Sequence, residues 1–63
     1  NSYEFRDRVA TRRKLMSAGE LIAAPGDEGE IARVVREPGK MYYHVRFGER
    51  IFQLDEEWLE RLN

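Results

Sequence analysis

The chain has 63 residues, of which 41% are hydrophobic and 37% charged, with a formal net charge of −1 and no cysteine. A chain this short is expected to fold as one domain over residues 1–63, near the lower size at which apolar burial alone can hold a fold together. The lack of cysteine excludes disulfides, thiolate zinc sites, cysteine-ligated iron–sulfur clusters and thiol catalysis within this sequence. The longest apolar run, Leu21 to Pro25, is too short to cross a bilayer as a helix, and no basic-then-apolar leader is present, so a cytoplasmic protein is expected.

In chain order, residues 3–11 alternate, with Tyr3, Phe5, Val9 and Thr11 on one side, and predict the first strand. From Arg12 to Asp27 the alternation dissolves around Gly19, Pro25 and Gly26. This segment is expected to be a long excursion that packs Leu15, Leu21 and Ile22 against the body of the domain, with Gly19 arguing against a helical turn. Gly26-Asp27-Glu28-Gly29 then turns the chain into a strand over residues 30–36, rich in valine and isoleucine.

Pro38-Gly39 reads as a type II turn, proline setting φ at the first central position and glycine supplying positive φ at the second. The strand that follows alternates Met41, Tyr43, Val45 and Phe47 with Tyr42, His44 and Arg46, the period expected when one face is buried. Gly48 turns the chain again into a strand over residues 50–54. Asp55 is a candidate N-cap for a one-turn helical or 3-10 segment that stations Trp58 and Leu59 over one end of the core. The elements describe an all-β fold, a small SH3-like β-barrel of four to five short antiparallel strands with a C-terminal 3-10 or helical turn.

Chemistry-bearing residues are few. His44 is the single histidine, on the outward side of its strand, and no carboxylate pair has a spacing that would complete a metal site with it. Ser2 and Ser17 lie outside any nucleophile-elbow pattern, and the glycines read as turn residues, not as a phosphate cradle. The expectation is therefore a non-catalytic chain without cofactor. Its candidate surface for another protein is Tyr42, His44 and Arg46 together with Leu15 and Leu21, because tyrosine and arginine recur at binding hot spots. Alternatively, Tyr42 lies under the excursion and completes the core.

Charge is uneven. Arg6, Arg8, Arg12, Arg13 and Lys14 make the beginning basic, whereas Asp55, Glu56, Glu57 and Glu60 make the end acidic. The first expectation is mutual attraction of two ends brought together by closure of the sheet. The second is that these five cations bind nucleic acid, as in KOW-type barrels whose G-x-x-G-x-[IV]-x-x-V pattern is matched from Gly26 to Val34.

Three stretches carry a resemblance: residues 20–34, the strand over 41–47, and the acidic turn over 53–59. Together they resemble NifZ, a family of small SH3-like nitrogen-fixation accessory proteins. The resemblance implies a helper that binds a larger metalloenzyme or its assembly intermediates, without metal ligands of its own. Barrels of this kind often begin Phe-x-x-Gly-Asp-x-Val, whereas this chain has Arg6 directly before Asp7, and the insertion expected of NifZ is shortened to Ser17-Ala18-Gly19.

Overall fold

In the computed structural model, which describes residues 2–62, the chain forms seven strands and one 3-10 turn. The strands are β1 (Arg8–Thr11), β2 (Leu15–Ser17), β3 (Glu20–Ala23), β4 (Glu28–Glu37), β5 (Lys40–Phe47), β6 (Arg50–Asp55) and β7 (Leu59–Arg61), with the 3-10 turn at Glu56–Trp58. Five of them make one antiparallel sheet in the order β6-β5-β4-β1-β7, and β2 and β3 form a separate hairpin.

The all-β expectation holds, but the closed barrel does not. Hydrogen-bonded pairing leaves β6 and β7 as edges, each with one partner. The sheet nevertheless has to curl. Its two edge strands are joined by three residues, so Asp55 and Leu59 lie within about 14 Å of each other, whereas five flat strands would separate the edges by about 19 Å. A bulge helps: the β4–β5 register slips between Ile31 and Arg33, leaving Ala32 as an extra residue that bends the longest strand. Leu54 of β6 and Leu59 of β7 consequently share one core with Val9, Ile31, Tyr43 and Val45.

Tyr43 is the largest fully buried side chain. Its ring meets Tyr3 edge to face, with centroids 5.4 Å apart, and its hydroxyl accepts the Tyr3 N–H at 3.2 Å and donates to Met41 Sδ at 2.9 Å. Such an aromatic pair adds about 1 kcal/mol to the area it buries. Tyr3 thus fastens the segment before β1 to the middle of the sheet.

Several local expectations need correction. The first strand begins at Arg8, because Glu4 to Asp7 form a turn; Phe5 is 65% exposed there instead of facing inward. The excursion is a β-hairpin whose two-residue turn, Ala18-Gly19, has positive φ at both positions, the geometry that matches strand twist. Its strands divide the apolar residues: Leu15 and Ala23 enter the core, Ile22 packs partly against it, and Leu21 points to solvent. Asp55 makes no side-chain cap to the 3-10 turn, although that turn does bury Leu59 and pack Trp58 on the core as expected. Pro38-Gly39 keeps its assignment, with φ of 79° at Gly39.

The ends meet through β1 and β7, but the ion pairs do not follow the composition of the two termini. Arg8 pairs with Glu28, Arg6 with Glu30 and Arg61 with Asp7, so the end-to-end pair runs opposite to the expected sense. Backbone register, which sets who faces whom, decides these contacts.

Candidate functional site

Strand β5 builds the candidate surface. Tyr43, Val45 and Phe47 are buried, while Tyr42 and His44 are partly exposed and Arg46 is exposed, so alternation sets the three candidate residues on the outer face. Pairing supplies their neighbours: Val35 and Asp55 flank Tyr42, Arg33 and Gln53 flank His44, and Glu30 and Ile51 flank Arg46. Lys40 lies 6.0 Å from the Tyr42 ring centroid, within cation–π range. His44 Nε2 is 3.3 Å from Gln53 Oε1.

Glu30 is shared by two arginines, at 3.4 Å from Arg46 and 3.8 Å from Arg6. Arg33 makes no ion pair among the described residues. The outer face of β4 and β5 carries cations and carboxylates in equal number, with Val35 beside Tyr42 and, further along, Ile51 beside Arg46 as its apolar members. Exposed pairs of this kind contribute at most about 1 kcal/mol each to stability.

Arg33, Gln53 and Ile51 belong to this face and escaped the sequence reading. Their signal is visible only once β4 and β6 are registered against β5, and the bulge at Ala32 shifts the parity on β4. Two other candidates separate from it. Leu21 is 54% exposed but lies on the hairpin, whereas Leu15 is 7% exposed and belongs to the core, so it presents no surface to a partner.

Four of the five basic residues of the first segment are drawn into local contacts. Besides the pairs of Arg6 and Arg8, Arg12 Nε donates to the Leu59 carbonyl at 2.8 Å, and the Arg13 guanidinium stacks 5.5 Å from the Trp58 ring centroid. Lys14 has no ion pair among the described residues.

A shallow groove of about 610 Å³ opens at the end of the sheet, lined by Tyr3, Arg12, Met41, Leu59 and the acidic run 55–57. Burial, followed by the nearby Glu56 carboxylate, raises the Tyr3 pKa, because both oppose a phenolate. The Tyr3 hydroxyl meanwhile donates to the Leu59 carbonyl at 3.3 Å. Among the described residues no group of three histidine or carboxylate side chains is gathered as a metal site would require.

These observations define a small all-β fold that presents a mixed aromatic and charged sheet face. Compared with known proteins, the chain resembles NifZ: it is 37% identical over 51 residues to Protein NifZ of Azotobacter chroococcum mcd 1 and, equally, to Protein NifZ of Azotobacter vinelandii. Each match covers 78% of this chain and 32% of the relative, so the chain spans about a third of the length of these proteins. No family model matches the chain, and no solved structure does. No helix of the structure is long and apolar enough to cross a membrane.

Proposed function

We propose that this chain is a non-catalytic accessory module of a nitrogen-fixation system, cytoplasmic, which binds a larger enzyme or assembly complex through the outer face of β4, β5 and β6. The observation that carries the proposal is the division of β5: every second side chain is buried, and those between are Tyr42, His44 and Arg46, two of a type favoured at hot spots. Likeness to NifZ supplies the nitrogen-fixation setting. Leu21, on the exposed side of the hairpin, stands apart from this face.

An SH3-like architecture is part of this reading. The order of elements supports it: a hairpin excursion after the first strand, a long bent strand, two further strands joined by tight turns, and a 3-10 turn before a last strand that returns beside the first.

The test is capture of partners from a nitrogen-fixing host by the tagged chain and by its Tyr42→Ala/Arg46→Ala variant, in gentle low-salt buffer. One stoichiometric protein held by the parent and lost from the folded variant supports the reading. Equal capture by both removes the face. Recovery of nucleic acid that is lost steeply with added salt transfers the function to Arg6, Arg8, Arg12, Arg13 and Lys14 instead.

A further inference from the structure

Strand β6 is an edge whose middle, residues 51–54, lacks the usual protections and whose charges stand at its two ends, Arg50 and Asp55. Edge strands are commonly kept from pairing by being very short, by charged side chains, lysine above all, by proline, by a bulge, or by a covering segment. The other edge, β7, has three residues; β6 has six, with no lysine or proline, and it pairs with β5 without any slip of register. Among the described residues its main chain pairs with no strand except β5, and its one side-chain link to another strand is at its first residue, where Arg50 donates to Glu20 of β3 at 3.0 Å.

The hairpin fixes which main-chain groups are free. Phe47 and Arg50 close the two-residue Gly48-Glu49 turn as a hydrogen-bonded pair. Alternation then directs Arg50, Phe52 and Leu54 toward β5, and leaves Ile51, Gln53 and Asp55 with their N–H groups at the open edge. None of those three N–H groups has another partner among the described residues. Ile51 and Gln53 also belong to the outer face beside Arg46 and His44, so this edge continues the proposed contact surface.

We infer that β6 receives an extended strand from a partner protein, which adds antiparallel to the sheet as a sixth strand. A second copy of this chain fits poorly. Only the positions with free edge groups can pair with each other, and the self-pairing of greatest overlap centres on Gln53 and sets Ile51 opposite Asp55, an apolar side chain against a carboxylate. A complementary strand instead carries, from its N-terminal end, a cation opposite Asp55, an apolar residue beside Leu54, a polar one opposite Gln53, an apolar one beside Phe52, and an apolar one opposite Ile51.

The probe is an acetylated, amidated peptide of sequence Lys-Val-Thr-Val-Ile-Glu, with a control peptide N-methylated at its threonine and isoleucine. Amide hydrogen exchange is followed residue by residue in the intact chain. With the probe at about 1 mM, exchange at Ile51, Gln53 and Asp55 is expected to slow about tenfold, and the N-methylated control leaves it unchanged. Unchanged exchange with the probe overturns the inference. So does slowing that persists with the control, which means contact elsewhere, and so does slowing that grows with chain concentration alone, which means self-association. This readout concerns main-chain groups of β6, so it can fail while the side-chain surface at Tyr42 and Arg46 stands, and the reverse.

Discussion

Arg6 occupies the place in one turn that Gly26 occupies in another. In the turn 4–7, the Asp7 N–H donates to the Glu4 carbonyl at 3.0 Å, and the Glu4 N–H donates to Asp7 Oδ2 at 2.9 Å. In the turn 24–27, the Asp27 N–H donates to the Ala24 carbonyl at 2.9 Å, and the Ala24 N–H donates to Asp27 Oδ2 at 2.9 Å. The third residue has φ of 76° at Arg6 and 93° at Gly26. One turn is built with the residue suited to that conformation, the other with a residue that is strained in it.

Arg6→Gly is accordingly expected to stabilise the chain by about 1 kcal/mol, since relief of the left-handed conformation outweighs an exposed ion pair whose partner Glu30 keeps Arg46. In a chain this small that raises Tm by about 4–8 °C. Gly26→Ala is expected to lower stability by a similar amount. Thermal unfolding of the two variants measures both, and a lower Tm for Arg6→Gly contradicts the turn assignment.

Gly29 requires the absence of a side chain for a different reason. A Cβ there would stand 2.8 Å from Phe47 Cε1 and 2.9 Å from the Arg46 carbonyl oxygen. Gly29→Ala should cost about 1–3 kcal/mol. Adding Phe47→Leu relieves only the side-chain clash, so the double variant is expected to recover little; urea unfolding curves give the comparison.

The turn glycines were the most legible part of the sequence. Gly26, Gly39 and Gly48 announced their turns because the residue type matched the backbone demand, and between them β4 followed from its valine and isoleucine, β5 from alternation and β6 from the turn before it. Arg6 concealed its turn, so Tyr3 to Thr11 read as one strand and Phe5 as an inward residue. Ala18-Gly19 lacks the asparagine or aspartate that usually marks such a hairpin, and its strands of three and four residues are too short to show a period. The outer face of β5 was readable from β5 alone. Its neighbours Arg33, Gln53 and Ile51 depend on register and on the bulge at Ala32, and the ion pairs depend on cross-strand position, which composition does not encode.

Leu15 and Leu21 provide a paired test of the hairpin. Leu15→Ala is expected to destabilise by about 2–4 kcal/mol through a core cavity, and Leu21→Ala by about 0.5 kcal/mol or less. Equal losses in chemical denaturation would mean that both leucines share one environment, against their division between core and solvent.

Tyr3 predicts an alkaline limit to stability. Its folded pKa is raised, chiefly by burial and then by Glu56, so the native state holds the phenol proton more tightly than the unfolded chain. That contribution is complete below the unfolded value of about 10 and is lost as pH rises through the folded value. Tyr3→Phe, which gives up the bond to the Leu59 carbonyl, should be less stable at neutral pH and lose less stability than the parent above about pH 10. Denaturation midpoints at neutral and alkaline pH test the sign; a steeper alkaline loss in the variant contradicts it.

The outer face of β5 is the proposed seat of a partner protein. Its most direct measurement replaces His44 with a photoreactive benzoylphenylalanine and, in a separate chain, Lys14 with the same residue, followed by irradiation in nitrogen-fixing cells. One dominant cross-linked protein is expected from position 44 and none from position 14. Cross-links to protein or nucleic acid from position 14, with none from position 44, would contradict this placement.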